Sequence, residues 1–235
     1  MNEPIEIPVA ILAGGLATRL RPLTEKIPKS LLQVSGRPFL SHQLQMLHER
    51  GIRRAVLCVG YLGQMIQDQF GTRACGITLD YSFDGERPLG TGGAIKRALP
   101  GLGREFFILY GDSYLPTEFA PVAQFFQRSG KLGLMTVYHN QDRYDVSNVL
   151  FRNGEILHYG KNLKLPEMEH IDYGLSMLQA SVFDAFGAKE VFDLAEVMGK
   201  LVRERQLAGF EVHQRFYQIG SPTGLLELET ILKDP

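Results

Sequence analysis

Short apolar segments alternate with longer amphipathic segments through the first half of the chain. The short runs have the length of buried strands, and the longer segments repeat apolar residues every three or four positions, as helices do. Residues 39–50 place Leu40, Leu44 and Leu47 on one helical face, and Gly51 then ends the pattern. The predicted strands here are 8–12, 54–59, 77–83 and 106–110, and the predicted helices are 39–50, 62–70 and 93–99.

Strands dominate after Gly130. The string Arg152-Asn153-Gly154-Glu155 is typical of a tight hairpin turn, because Asn-Gly adopts the positive φ angles that such turns need. The pattern predicts strands at 132–138, 146–151, 156–159, 171–178 and 210–216, with helices at 181–186, 194–206 and 223–233.

Strand–helix alternation is typical of a parallel sheet that is covered by helices on both faces. We therefore predict an α/β fold, a Rossmann-like, mostly parallel sheet with helices on both faces plus a small β insert. Ligands of such sheets collect at the carboxyl ends of the strands. No linker, repeat or low-complexity stretch divides the chain, so we predict one domain over residues 1–235, with parts at about 1–130 and 131–235.

Composition narrows the function classes. The 235 residues are 44% hydrophobic, which supports a sizeable core, and the net charge of −1 argues against a nucleic-acid or anionic-membrane surface. Cys58 lies in an apolar run and Cys75 in a predicted loop, so neither a disulfide framework nor a zinc site is expected. No signal-peptide pattern and no apolar run of bilayer length is present, and we expect a soluble cytoplasmic protein.

The loop after the first strand carries the strongest chemical signal. Gly14-Gly15 lets backbone N–H groups approach an anion, and Arg19, Arg21 and Lys29 suit a polyphosphate. An ordinary turn with solvated arginines would explain the two glycines but not the whole string. The loop lacks the Gly-Lys-Ser/Thr of a Walker motif and the third glycine of the dinucleotide fingerprint.

Two further motifs follow predicted strands. The string 88–94 holds three glycines in four positions and opens a helix, which permits close approach of the backbone to a flat group and favours an anion nearby. The alternative is a flexible loop that caps the helix. Asp112 follows an apolar strand, where a carboxylate is costly unless a charge or hydrogen bond meets it; Mg²⁺ is one partner and an N-cap role is the alternative.

The string from Leu12 to Lys29 resembles the N-terminal signature of the sugar-1-phosphate nucleotidyltransferases. The resemblance covers nearly the whole chain and is most specific at residues 12–32 and 86–113. It implies the nucleotide-diphospho-sugar transferase type of fold and the reaction of a nucleoside triphosphate with a sugar 1-phosphate to give a nucleotide sugar and pyrophosphate, with Mg²⁺ as cofactor. Longer members carry a β-helix domain that this chain lacks the length to include.

The resemblance also implies roles for individual residues. Arg19 would hold the β- and γ-phosphates, Lys29 the reacting centre, and Asp112 the Mg²⁺, while Glu86 lies beside the position that reads the base. The implied nucleotide-binding residues are Leu12, Ala13, Gly14, Gly15, Thr18, Arg19, Glu86, Pro88, Gly90, Thr91 and Gly92.

The implied sugar-phosphate residues are Tyr110, Asn148, Lys161, Asp172 and Gly174, and here the chain departs from the family pattern. The family's Glu-Lys-Pro reads Gly160-Lys161-Asn162, so a glutamate for sugar hydroxyls is missing and Asn148 or Asp172 would replace it. A solvated surface role for Lys161 is the alternative. The family's second metal-binding aspartate is Gln218, a weaker ligand for a hard cation, which leaves open reduced metal binding or lost catalytic efficiency.

Within the family, residues 86–93 look most like heptose- and mannose-type guanylyltransferases, then muramate-type uridylyltransferases, so GTP is preferred and UTP or another triphosphate is the alternative. Molybdenum-cofactor guanylyltransferases bring their lysine closer to the arginine, and glycosyltransferases typically carry a two-aspartate metal motif. A catalytically weak nucleotide-sugar-binding protein is the alternative from another class. The expected partners are the two substrates, with no nucleic acid and no membrane, in a monomer or homodimer.

Overall fold

The computed structural model describes residues 3–15, 20, 22, 24–160 and 165–233. Six α-helices lie in these ranges, together with short 3-10 helices at Lys29–Leu31 and Ala180–Phe186. The α-helices are α1 (Phe39–Glu49), α2 (Gly63–Phe70), α3 (Gly90–Leu102), α4 (Phe119–Ser129), α5 (Leu194–Arg203) and α6 (Pro222–Lys233).

Ten of the strands form one mixed sheet in the order β10-β11-β13-β9-β12-β7-β1-β4-β6-β5. Two small two-stranded sheets, β14 with β8 and β2 with β3, accompany it in the described part of the chain. The strands are β1 (Val9–Leu12), β2 (Gln33–Val34), β3 (Arg37–Pro38), β4 (Arg54–Val59), β5 (Arg73–Ala74), β6 (Ile77–Phe83), β7 (Glu105–Tyr110), β8 (Ser113–Tyr114), β9 (Gly133–His139), β10 (Val149–Arg152), β11 (Glu155–Tyr159), β12 (His170–Gln179), β13 (Leu207–Val212) and β14 (Tyr217–Gln218).

The first half of the chain forms the parallel part of the sheet. Strand β1 lies between β4 and β7, and all three run parallel, with Leu12 opposite both Cys58 and Tyr110. Strand β6 continues the parallel set beside β4. Because these strands share one direction, the residues that follow β1, β6 and β7 meet at one edge of the sheet.

The β-rich second half continues the same sheet, which makes the whole sheet mixed. Strand β12 runs antiparallel to both β7 and β9 and joins the two halves. Its pairing with β9 shifts register between Asp172 and Ser176, and Gly174 in that interval has a φ of +99°. A β-bulge of this kind redirects side chains, and here it turns the start of β12 towards the parallel edge.

Most predicted elements are confirmed within a few residues, and the last strand is the main correction. Residues 210–216 were predicted as one strand, but β13 ends at Val212, where its parallel pairing with β9 ends at Tyr138. Phe216 instead packs against Tyr138 and Tyr173, and the chain then pairs again as β14. Helix α4 was not predicted, although its buried residues Phe119, Val122, Ala123 and Phe126 follow helical spacing.

Two hydrophobic layers enclose the sheet. Val9 and Ile11 of β1 face a cluster that includes side chains from α1, α2 and α4, whereas Ala10 faces a cluster that includes α3 and α5. Adjacent strand residues point to opposite faces, so an apolar run such as β1 must be covered on both sides. Cys58 lies in the second layer, where burial raises the pKa of its thiol to about 12. No helix of the described residues combines the length and apolar character needed to cross a membrane.

Candidate active site

An ion pair lies at the parallel edge of the sheet. Lys29 Nζ is 2.9 Å from Asp112 Oδ2, and both side chains are largely buried. Lys29 begins a 3-10 helix, and Asp112 follows β7 directly. A carboxylate that follows an apolar strand is costly unless a charge or hydrogen bond meets it, and here the Lys29 ammonium group meets the Asp112 carboxylate.

Close backbone contact brings the first glycine loop beside Asp112. The Gly111 N–H donates to the Leu12 carbonyl oxygen at 3.0 Å, and a Cβ at position 111 would lie 2.5 Å from that oxygen and 3.0 Å from Ala13 Cα. Only glycine permits this approach. The loops that follow β1 and β7 are thereby held against each other.

Gln43 supports the turn that carries Asp112. This fully buried residue of α1 donates through its side-chain nitrogen to the carbonyl oxygens of Tyr110 at 3.0 Å and Ser113 at 2.8 Å. The sequence holds a signal for it, since Gln43 is a polar residue beside Leu40, Leu44 and Leu47 on the buried face of a helix.

One side of the pair opens into a cavity of about 300 Å³, which we call the glycine-lined cavity. Six residues that the resemblance assigned to nucleotide binding line it. They are Leu12, Gly14, Gly15, Pro88, Gly90 and Thr91, and the rest of the lining is Cys58, Asp84, Ala94, Tyr110 and Asp112. Ala13 lines a smaller neighbouring cavity together with Lys29 and Asp112.

Two residues that were assigned to the nucleotide lie elsewhere. Glu86 is exposed and is not part of the lining of the glycine-lined cavity. Gly92 is buried, and its N–H donates to the Phe192 carbonyl oxygen at 3.0 Å, so it joins α3 to the segment before α5. Thr18, Arg19 and Lys161 lie outside the described residues, and their roles stay predictions.

Asp84 is a carboxylate of the glycine-lined cavity that the sequence analysis did not single out. It is 8% exposed and follows β6 directly, so the signal resembles that for Asp112: a carboxylate at the carboxyl end of a predicted strand. Its Oδ2 accepts from the Leu89 N–H at 3.3 Å. Burial raises the pKa of Asp84, although that N–H and the charge of Arg97 oppose the effect.

The other side of the pair opens into a cavity of about 450 Å³, which we call the aspartate-lined cavity. Four of the five residues assigned to the sugar phosphate line it: Tyr110, Asn148, Asp172 and Gly174. The other lining residues are Asp112, Ser113, Asp145, Val146, Ser147, Tyr159, Gly160, Ile171, Tyr173 and Gln218.

Asp172 occupies the centre of a hydrogen-bond network in this cavity. Its Oδ1 accepts from the Gly174 N–H at 3.0 Å and its Oδ2 from the Tyr159 hydroxyl at 3.4 Å, while its backbone N–H donates to Asn148 Oδ1 at 3.0 Å. The bulge of β12 and the φ of +99° at Gly174 create this arrangement. Burial, with a further contribution from Asp172, raises the pKa of the Tyr110 and Tyr159 hydroxyls, so both remain protonated donors near neutral pH.

Asp145 is a second carboxylate that the sequence analysis missed. It belongs to the loop between β9 and β10. The fully buried Asn140 stabilises this loop, because its side-chain nitrogen donates to the Asp145 carbonyl oxygen at 2.7 Å and to Ser147 Oγ at 3.2 Å. Asp145 Oδ1 accepts from the Val146 N–H at 2.7 Å. No local pattern marks Asp145, because the register of its loop decides which side chains face the cavity.

Gln218 lies next to Asp112 although the two residues are far apart in sequence. In the pairing of β14 with β8, Gln218 is opposite Ser113, and the Ile219 N–H donates to the Asp112 carbonyl oxygen at 2.9 Å. Both side chains line the aspartate-lined cavity. Within the described ranges, no three His, Cys, Asp or Glu side chains come together as a metal site.

The amino-acid sequence has matches among known proteins. Residues 9–147 match the family model described as Nucleotidyl transferase. The D-glycero-alpha-D-manno-heptose 1-phosphate guanylyltransferase of Campylobacter jejuni is 30% identical over 213 residues, covering 90% of this chain and 94% of that protein. The mannose-1-phosphate guanylyltransferase catalytic subunit beta of Drosophila melanogaster is 30% identical over 222 residues, and the match covers 92% of this chain and 60% of that longer protein.

A solved structure supports the fold. HddC from Yersinia pseudotuberculosis, for which a complex with GMP-PN is also known, matches with a TM-score of 0.77 and 23% identity, covering 96% of this chain and 99% of that one.

Proposed function

The chain belongs to the nucleotidyl transferase family and is a sugar-1-phosphate nucleotidyltransferase, and from this premise we propose that it transfers the guanylyl group of GTP to a heptose- or mannose-type sugar 1-phosphate. The observation that carries the proposal is the position of Asp112. This residue lines both the glycine-lined and the aspartate-lined cavities and pairs with Lys29, which lines the smaller neighbouring cavity. Two substrates that occupied the two cavities would meet at one charged pair.

The proposed reaction is an in-line displacement at the α-phosphorus. A phosphate oxygen of the sugar 1-phosphate forms a bond to the α-phosphorus, the bond from that phosphorus to the bridging oxygen breaks, and pyrophosphate leaves. This chemistry needs alignment and neutralisation of spreading negative charge more than it needs proton transfer. Lys29 would supply positive charge there, and the two cavities would supply the alignment.

Mg²⁺ fits the residues present. Mg²⁺ is commonly bound through one or two carboxylates together with substrate phosphates, and it retains several waters. The Asp112 carboxylate and the Gln218 amide face the same cavity, so they would hold the ion together with the phosphates. When bound, the ion would neutralise phosphate charge at the reacting centre.

Asp84 supports GTP over the other triphosphates. A carboxylate only accepts hydrogen bonds, and guanine presents two adjacent donors, N1–H and the 2-amino group, on its Watson–Crick edge. Asp84 is the carboxylate of the glycine-lined cavity besides Asp112. Both matching relatives named above are guanylyltransferases. We therefore assign base reading to Asp84 in place of the neighbourhood of Glu86.

The test crosses the common nucleoside triphosphates with a panel of sugar 1-phosphates and measures pyrophosphate release with Mg²⁺ present. The expected result is turnover with GTP and heptose or mannose 1-phosphate. A preference for UTP with muramate 1-phosphate would contradict the substrate assignment.

Gln218 favours a second candidate, a nucleotide-sugar-binding protein with little catalysis, because an amide is a weaker ligand for Mg²⁺ than a carboxylate. Saturable binding of GDP-mannose without pyrophosphate release in any combination would support that candidate. We further propose a cytoplasmic location. We also propose that the protein is a monomer or a homodimer, and its molar mass in solution would distinguish the two.

A further inference from the structure

A third cavity of about 290 Å³ adjoins the aspartate-lined cavity, and none of the sequence motifs predicted it. Asp145 and Gln218 line both cavities and therefore stand at the passage between them. We call it the arginine-lined cavity. Its other lining residues are Arg143, Tyr144, Arg215, Phe216, Tyr217, Gly220, Ser221, Thr223, Gly224 and Glu227.

Arg215 is positioned by three contacts in this cavity. Its guanidinium carbon lies 3.9 Å from the ring centre of Tyr144 and 5.0 Å from that of Tyr217, and one terminal nitrogen is 2.6 Å from Glu227 Oε2. Its Nε is buried and has no hydrogen-bond partner among the residues that the structure describes. The guanidinium is therefore positioned by stacking and by one ion pair, with donor capacity left over.

The charges of the cavity balance. Arg143 and Arg215 are matched by Asp145 and Glu227, and Ser221 and Thr223 add hydroxyls. Fixed donors and acceptors of both signs suit neutral hydroxyl groups, since each hydroxyl both donates and accepts. An anionic group would meet no net positive charge in this balanced set, and an apolar group would leave the polar side chains without partners.

We propose that the arginine-lined cavity receives a neutral, hydroxylated exocyclic chain of the acceptor sugar, and that the enzyme thereby prefers acceptors longer than a hexose. The inference rests on the proposed function, because it assumes that the sugar ring occupies the aspartate-lined cavity. It adds a specificity site made of Arg215, Asp145 and the first turn of α6, which carries Thr223.

The test compares D-glycero-D-manno-heptose 1-phosphate with D-mannose 1-phosphate, which lacks one CHOH unit of the exocyclic chain. Both kcat/KM with GTP and Kd by calorimetry are measured. We expect the heptose phosphate to be favoured at least about 10-fold, the lower end of what one added group gives in a matched pocket. Thr223→Phe fills the cavity from an exposed helix position and should bring the ratio close to one by weakening heptose binding alone.

The matched control is Thr230→Phe, which adds the same side chain at an exposed position of the same helix away from the cavity and should leave the ratio unchanged. Arg215→Met retains a long side chain against Tyr144 but removes the donors, and it should also reduce the preference for heptose. Should one variant fail to fold, the other gives the same comparison.

Equal binding of the two acceptors by the unaltered protein, or equal weakening of both by Thr223→Phe, would overturn the inference. Tighter binding of muramate 1-phosphate, which carries a carboxylate, would overturn it as well. The proposed function fails separately, if no triphosphate gives pyrophosphate with either acceptor. The ratio of Kd values still decides the inference in that case.

Discussion

The glycine-lined and aspartate-lined cavities share Asp112 and Tyr110 but are built in different ways. The glycine-lined cavity draws mainly on short continuous strings that follow β1, β6 and β7, and its wall contains three glycines besides side chains such as Leu12, Tyr110 and Asp84. The aspartate-lined cavity collects side chains from the ends of five strands and one loop, and its wall carries three carboxylates.

The difference teaches how each cavity would select its ligand. A wall rich in glycine backbone accepts a ligand by shape and by N–H groups, which most triphosphates satisfy alike, so base choice would depend on a single side chain such as Asp84. Side-chain walls select by the pattern of hydroxyl groups, so the choice of sugar would be spread over Asp145, Asn148 and Asp172. The following changes test that contrast, from the largest expected effect to the smallest.

Removing the Lys29 charge, which pairs with the Asp112 carboxylate that both cavities share, should impair the use of both substrates. Lys29→Ala removes the cation that faces Asp112, and we expect kcat to fall about 100- to 1000-fold, as happens when one donor to a developing charge is lost. Steady-state pyrophosphate release measures it. Lys26→Ala, an exposed lysine of the same segment, is the control. Activity near that of the unaltered enzyme would remove Lys29 from the reacting centre.

A change confined to the aspartate-lined cavity should affect the sugar substrate alone. Asp172→Ala removes the acceptor of the Gly174 N–H, and we expect kcat/KM for the sugar 1-phosphate to fall about 10- to 100-fold, in line with about 1.5–3 kcal/mol for a charged hydrogen bond, while the KM for GTP stays unchanged. Asp172→Asn keeps an acceptor oxygen and should restore part of the loss. An equal rise in both KM values would show that the cavities are not separate.

A change confined to the glycine-lined cavity should alter base choice. Asp84→Asn replaces an acceptor with a donor on one atom, and we expect the preference for GTP over the other triphosphates to fall about 10-fold, within the range for a lost paired contact to a base edge. Competition between triphosphates measures the ratio. Glu86→Gln is the matched control, and a larger effect there would return base reading to the Glu86 region.

A change at Gln218, which lies beside Asp112, should alter the Mg²⁺ concentration that the enzyme requires. Gln218→Asp places a second carboxylate beside Asp112, and we expect the Mg²⁺ concentration for half-maximal activity to fall several-fold, because hard cations prefer charged oxygen ligands. A titration of activity against Mg²⁺ measures it. An unchanged or higher requirement would indicate that residue 218 does not contribute to holding the ion.

The smallest expected effect is on stability. Burial raises the pKa of Asp84 in the folded protein above the ordinary value of about 3.9, so the folded state binds more protons than the unfolded state between the two pKa values. Stability therefore falls as pH rises through that window. Asp84→Asn should raise Tm at pH 7, and the gain should vanish near pH 3.5. A Tm that drops equally at both pH values would show that the carboxylate supports the fold.

Much of the fold was predictable because it depends on local pattern. Short segments such as 54–59 and 77–83 had the right length and composition for strands, and both are confirmed to the residue. The helix α4 was missed although its buried spacing is regular, and the predicted strand at 210–216 was wrong at its end because pairing with β9, a distant element, decides where β13 stops.

The sequence by itself determined the family and the two glycine strings, and it singled out Lys29 and Asp112 as candidate site residues, because these features lie in short continuous segments whose chemistry is local. The tertiary structure alone decided that Gln218 lies beside Asp112 and that Asp84 rather than Glu86 lines the glycine-lined cavity. It also decided that Asp145 lines both the aspartate-lined and the arginine-lined cavities. The physical reason is that strand order, the bulge in β12 and loop register bring these side chains together across long separations, and no local pattern records which of them will meet.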